Sequence, residues 1–194
     1  MFRKNLGAGV VGLVLLLGGC DNSSGDKPSA SAQQNANSRY LISSTAAGAV
    51  QLGMNLNEVL IALPNATSSN EQDGEGITWA AITVHGEIIM RLMLDDADHT
   101  VNLIRVFSPE YKTEQGVHVG ENLQSVADKL GGLTEIQATE IESREFATFK
   151  NSPQNVEFQV VGRDGSAGVY ANSGTSTSIA SPSATIHSVW IMED

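Results

Sequence analysis

Cys20 is the only thiol in the 194 residues, and its surroundings in the sequence are the ones that point to a defined chemistry. A lone cysteine admits no internal disulfide and no cysteine-based metal site. The other candidates are weaker. Ser24 and Lys27 have the spacing of an acylating serine and its lysine base, but they stand in a polar stretch without the partner motifs that chemistry needs. Asp95, Asp96, Asp98 and His99 offer oxygen ligands of the kind calcium takes. A calcium loop begun at Asp96, however, puts Val101 where glycine belongs and Phe107 where glutamate belongs, so a solvated turn accounts for them better. Glu140 and Glu142 would project from one face of a strand about 7 Å apart, a spacing catalytic carboxylate pairs use and charged outer faces share. His85, His99, His118 and His187 show no ligand spacing to one another. With no phosphate-binding glycine loop, nucleophile elbow or zinc-protease helix pair, we assign no catalytic residue, no metal and no cofactor.

The elements that position Cys20 are those of an exported chain. Arg3 and Lys4 precede an apolar run from Leu6 to Gly18, and small residues follow, the three parts of a secretory leader. That run is 13 residues long and holds four glycines. A membrane-spanning helix needs about 20 mostly apolar residues, so cleavage rather than spanning is expected.

The junction Leu17-Gly18-Gly19-Cys20 resembles the lipobox of bacterial lipoproteins. The resemblance implies removal of residues 1–19, a diacylglyceryl thioether on Cys20 and acylation of its new amino group. Several chains together hold a membrane firmly where one alone binds marginally. Asp21, directly after the cysteine, resembles the signal that retains lipoproteins in the inner membrane, with the outer membrane as the alternative; in either case the domain faces the periplasm. Residues 20–38 comprise the lipidated cysteine and a Ser-, Asn-, Gln- and Ala-rich tether without large apolar side chains. Such a tether has a root-mean-square span of roughly 25 Å. The formal charge of −11 becomes −13 once Arg3 and Lys4 leave, which disfavours nucleic acid and anionic headgroups as partners.

Residues 39–194 are expected to form one domain, and its clearest pattern is an internal echo. Ala49–Pro64 (AVQLGMNLNEVLIALP) aligns without gaps on Gly116–Gly131 (GVHVGENLQSVADKLG), 67 residues later, with identities that include Gly53/Gly120, Asn55/Asn122, Leu56/Leu123 and Val59/Val126. Each copy reads as a glycine, a capping Asn and a two-turn helix ended by Pro64 or Gly131. Leu56, Val59, Leu60 and Leu63, and their counterparts Leu123, Val126, Ala127 and Leu130, form the apolar stripe.

Strands are expected at Ile77–Val84, Ile88–Leu94, Val101–Ser108, Ile136–Glu142, Glu145–Phe149, Val156–Val161 and Ile186–Met192, with His85-Gly86 as a hairpin turn. Val156, Phe158 and Val160 alternate with Glu157 and Gln159, which predicts one wet face. The fold class that follows is α+β: two helix-then-strands units, a possible internal duplication, with antiparallel sheet and the helices packed on one side. Residues 164–185 read as a long loop, either a disordered insertion or a functional segment with Tyr170 as its anchor on a partner.

The glycine-capped helix ending in Leu-Pro, the strand at 103–108, the second helix ending in Leu-Gly and the closing Ile-His-Ser-Val-Trp at 186–190 together resemble the RpoE-regulated lipoproteins of enterobacteria, and that resemblance implies envelope context. A looser likeness is to the duplicated helix-and-sheet modules of small outer-membrane assembly lipoproteins and of β-lactamase inhibitor proteins, which bind proteins. The function expected is therefore a non-catalytic, lipid-anchored module that binds an envelope protein through its sheet face or the 164–185 loop. A sheet used this way should carry an exposed apolar patch, and a surface without one would count strongly against this reading. The alternative is an envelope enzyme or small-ligand carrier with a pocket between the two units, using carboxylates or a histidine such as His85 or His187.

Overall fold

Asn55 and Asn122 open the two helices. The Asn55 side-chain oxygen accepts from the backbone N–H groups of Asn57 and Glu58 at 3.0 and 3.1 Å, and the Glu58 carboxylate accepts from the Asn55 N–H at 2.9 Å. This closes a capping box over α1 (Leu56–Ala62). Asn122 accepts from the Gln124 N–H at 2.9 Å and caps α2 (Leu123–Lys129). Just beyond α2, Gly131 takes a φ of 79°, the left-handed conformation that ends many helices. The computed structural model describes residues 39–139, 144–171 and 174–193. The leader, Cys20, Asp21, the tether, and Glu140 with Glu142 lie outside the described residues.

Three two-residue strands precede α1: β1 (Leu41–Ile42), β2 (Ala46–Ala47) and β3 (Val50–Gln51). After α1 come β4 (Ala66–Gln72), β5 (Thr78–Val84), β6 (Glu87–Leu94), β7 (Val101–Val106) and the short β8 (Lys112–Thr113). After α2 come β9 (Leu133–Ala138), β10 (Glu145–Phe149), β11 (Val156–Val161), the two-residue β12 (Ser176–Thr177) and β13 (Thr185–Met192). Strands β3, β2, β1 and β8 form a small sheet in that order, with β8 parallel to β1. The other nine form one antiparallel sheet in the order β12-β9-β10-β11-β13-β7-β6-β5-β4. The fold among the described residues is therefore mostly β with some helix: the antiparallel sheet of the α+β expectation is present, with less helix beside it. Two seven-residue helices are too short to make a layer, and the sequence reading missed β4, β12 and the small sheet. These pieces lack apolar alternation: β4 reads Ala-Thr-Ser-Ser-Asn-Glu-Gln and takes its order from pairing with β5.

The two halves have the same local construction. In each, a helix is followed by an up-and-down run of strands, and the final strands of the two runs, β7 and β13, pair antiparallel at the centre. Gly53 donates to the Val101 carbonyl and Val101 to the Met54 carbonyl, both at 2.8 Å. At the echo positions Gly120 donates to Ile186 at 2.8 Å and Ile186 to Glu121 at 2.9 Å. Both glycines have a φ of 83°. This explains the repeated Gly-x-Asn: the glycine turns the chain with positive φ so that the cap sits against the last strand of its own half.

One face of the large sheet carries the main core. Val59 of α1 and Leu123, Val126 and Ala127 of α2 share a buried cluster with Ile82, Met90, Leu92, Ile104, Phe158, Val189 and Ile191. The opposite face curls over on itself. Trp79 of β5 lies 5.9 Å from Trp190 of β13, centroid to centroid, although three strand spacings on a flat sheet would separate them by roughly 14 Å. Asp73, just past β4, meets Arg144, just before β10, at 3.4 Å across a flat-sheet distance of roughly 29 Å. Register shifts in the β9/β10, β11/β13, β5/β6 and β6/β7 ladders supply the bending.

Candidate functional site

The concave face of the curled sheet is where the larger polar and aromatic side chains converge. Arg91 of β6, Arg105 of β7 and Trp190 of β13 stand opposite one another across adjacent strands. Trp79, Leu103 and Trp190 are buried there, with Ile77, Met93, Phe146 and Met192 packed against them and partly exposed. Phe146 meets Trp190 edge-on at 5.3 Å. Over these rings lie guanidinium groups: Arg105 sits 4.9 Å from Trp190 and 4.8 Å from Phe107, Arg91 5.1 Å from Phe107, and Arg144 5.5 Å from Trp190. Such cation–π contacts strengthen as water is removed.

The cations are held in place. Arg91 donates to the Glu71 carboxylate at 2.8 Å through Nε. Asp73 Oδ2 accepts from the Trp79 indole N–H at 2.9 Å and from Arg144 at 3.4 Å. The Trp79 bond first, then backbone N–H groups of Ile77 and Glu75 and the charge of Arg144, outweigh burial and hold the Asp73 carboxyl below its usual range. At the centre, buried Arg105 donates through Nη2 to Gln159 Oε1 at 2.8 Å and through Nε to Ser188 Oγ at 3.2 Å. Ser188 donates to the same Gln159 oxygen at 2.8 Å, and the Trp190 indole N–H donates to Ser188 at 2.8 Å. Gln159 is therefore not on a wet face, as its alternation with Val160 predicts; it is 8% exposed and serves as the acceptor hub of a buried network.

At the rim, His187 lies edge-on to Phe107 at 6.0 Å. Partial desolvation by the side chains around it, and then the charges of Arg105 and Arg91, push the pKa of this exposed imidazole down. Glu157 projects into the concave face opposite Trp190, and desolvation pushes its carboxyl pKa up. Among the described residues the trough offers fixed cations, ring faces and an imidazole at its rim.

On the convex side the 164–185 segment is tied down at its centre by Glu145. This buried carboxylate accepts from the backbone N–H groups of Ala167 and Gly168 at 2.6 and 2.8 Å and from the Tyr170 hydroxyl at 2.6 Å. Burial and the adjacent Glu145 carboxylate push the Tyr170 hydroxyl pKa up. Tyr170 is thus an anchor of the loop on its own domain, a correction to its expected role toward a partner. The described part of the loop also contributes β12, which pairs with β9, and it carries Val169 and Ile179 exposed side by side, joined by a 2.8 Å backbone bond.

The sequence candidates do not converge. Asp95 and Asp98 cap their own turn, accepting from Ala97, Asp98 and Thr100 N–H groups. His85 and His99 occupy turns with φ of 53° and 58°, and His85-Gly86 does form the β5–β6 hairpin. His118 faces Glu121 at 3.8 Å. Among the described residues no group of three or more His, Cys, Asp and Glu side chains could hold a metal. A cleft of about 350 Å³ walled by Tyr40, Leu63, Pro64, Ile89 and Tyr111 belongs to the first half alone. A hollow of about 460 Å³ at the seam, between Met93, Asp95, Leu103 and Met192, opens to solvent. Neither includes His85 or His187. The trough residues escaped the sequence reading because they come from strands far apart in the chain. The available signal was bulk: Arg91, Met93, Leu103, Arg105, Phe107, Trp190 and Met192 occupy alternate strand positions that a solvated face would fill with small polar residues.

Fold and site define a curled antiparallel sheet with two helix-led halves and an aromatic, arginine-rich concave face. Its fold is shared with the crystal structure of the uncharacterized protein yfeY from Escherichia coli, at a TM-score of 0.54 and 14% sequence identity over 78% of this chain and 99% of that one. No family model matches the sequence, and no curated protein matches it.

Proposed function

We propose that this chain is a lipid-anchored protein of the bacterial cell envelope, of the RpoE-regulated lipoprotein type, whose periplasm-facing domain binds another protein without catalysing a reaction. The two halves descend from a duplicated helix-and-strands unit, with both helices covering the convex face and leaving the concave face to the partner. The observation that carries the reading is the concave trough itself. Aromatic residues and arginine dominate the energetics of protein interfaces, and here Arg91 and Arg144 are fixed before any partner arrives, which lowers the entropic cost of binding. The broad apolar patch expected on the sheet is not what the face presents. Trp190 is buried beneath Arg105 and Arg144, Trp79 is buried beside Asp73, Val161 is the exposed large apolar side chain of this face, and Leu41, Ile61, Val169 and Ile179 stand away from it. Recognition then rests on the partly exposed Arg91 and Arg144 with Met93, Phe146 and Met192.

Anchoring is supported by the leader, the Leu17–Cys20 junction and the polar tether, and Asp21 favours the inner membrane. No helix among the described residues is long and apolar enough to cross a membrane. The combined test is chemical crosslinking of the Cys20-anchored protein in cells followed by mass spectrometry, with a tether lacking residues 39–194 as control. One stoichiometric envelope protein that depends on the domain is the expected result. Recovery of nothing beyond the control would overturn the binding reading in favour of a small-ligand carrier or an enzyme.

A further inference from the structure

The large sheet ends differently on its two sides. At one end the outer edge of β9 is covered by β12, which pairs through Ser176 with Gln137 and Thr177 with Ile136. At the other end β4 is the last strand, and no described strand pairs with its outer edge. Natural sheets protect such edges with charged side chains, lysine above all, or with proline, bulges or very short strands, and the single charge of β4, Glu71, is neutralised by Arg91. Beyond that one paired charge β4 is unprotected: it is seven residues long, contains neither proline nor lysine, and runs through seven consecutive pairs with β5, from Ala66 to Gln72, without a register shift. Its ladder is thus straighter than the bulged ones that curl the rest of the sheet.

The composition of the edge suits pairing with itself. Set antiparallel about Ser69, two copies would place Ser69 against Ser69, Ser68 against Asn70, Thr67 against Glu71 and Ala66 against Gln72, so short polar side chains meet and no charge faces its own copy. Glu71, the one charged side chain of the strand, is already paired with Arg91 at 2.7 Å. The general negative charge of the chain opposes association, but it is screened beyond about 8 Å at physiological salt.

We propose that β4 joins two copies of this chain edge to edge, antiparallel about Ser69, so that their large sheets run on as one. The contact is isologous, as the commonest soluble dimers are. The Ser69 residues would face each other with Cα atoms about 4.5 to 5.5 Å apart, within disulfide reach.

The test uses the full-length chain expressed in cells, as wild type, Ser69→Cys and Ser176→Cys, treated with a mild oxidant and run on non-reducing gels. A disulfide-linked dimer specific to Ser69→Cys is the expected result, with the wild type and the opposite-edge Ser176→Cys remaining at baseline. A folded Ser69→Cys protein, judged by an unchanged thermal midpoint, that stays monomeric would overturn the proposal. So would equal dimer from Ser176→Cys, or linkage of position 69 to a different protein. Hydrogen exchange of the wild type gives an independent readout. The outward amides of β4 should become protected as protein concentration rises, and exchange that does not depend on concentration would count against the dimer.

Discussion

Gln159 shows how much a single side chain carries in this protein. Its amide oxygen serves Arg105, Ser188 and Trp190 together, so Gln159→Leu would take the acceptor from the buried Ser188 hydroxyl and weaken the bonding of Arg105 and Trp190, at a cost of about 1–3 kcal/mol. The expected outcome is a lowered denaturation midpoint together with a shift in tryptophan emission, since Trp79 and Trp190 are the only tryptophans and touch each other. His187 adds a pH dependence of known sign. Its folded pKa lies below the unfolded value of 6.5, so the unfolded chain binds the proton more readily. The stability this neutral imidazole contributes is present above pH 6.5 and is lost as pH falls toward the folded pKa. Removing the imidazole with His187→Gln should flatten the melting temperature between pH 7.5 and 5.5, and an unchanged slope would refute the assignment.

At the scale of elements, the helix caps and the longer apolar strands were legible because their information is local. Asn55 with Glu58 announces a helix start within four residues, and Glu145–Phe149 and Val156–Val161 have the bounds their alternation implies. β4 was not legible, since its seven mostly polar residues become a strand only through β5. The order in the 164–185 segment was hidden for a similar reason: its organiser, Glu145, precedes it by some twenty residues and looks in sequence like an ordinary strand carboxylate. Glu145→Gln keeps one acceptor oxygen but gives up the charge that holds two backbone N–H groups and the Tyr170 hydroxyl. Protease cleavage within residues 164–184 should then accelerate while exchange of the β7/β13 ladder stays unchanged. The repeated glycines make a paired prediction. Gly53→Ala and Gly120→Ala meet no steric obstacle but force a Cβ onto a φ of 83°, so each should cost about 1 kcal/mol or more in chemical denaturation, by similar amounts if the two halves are equivalent.

For the molecule as a whole, the sequence tells more about placement and the structure more about the surface. The anchoring account rests on Cys20: metabolic labelling with a palmitate analogue should mark the wild type, and Cys20→Ala should abolish both label and membrane recovery. The binding account rests on the concave face, which no stretch of sequence displays because its residues are spread over β5, β6, β7, β10, β11 and β13. The most direct measurement is site-specific photocrosslinking in cells, with a photoactivatable residue at Val161, exposed on the concave face, and at Ile61, exposed on α1. A single envelope protein captured from position 161 and not from position 61 is the predicted result; no adduct from 161, or the same adducts from both positions, would contradict the account.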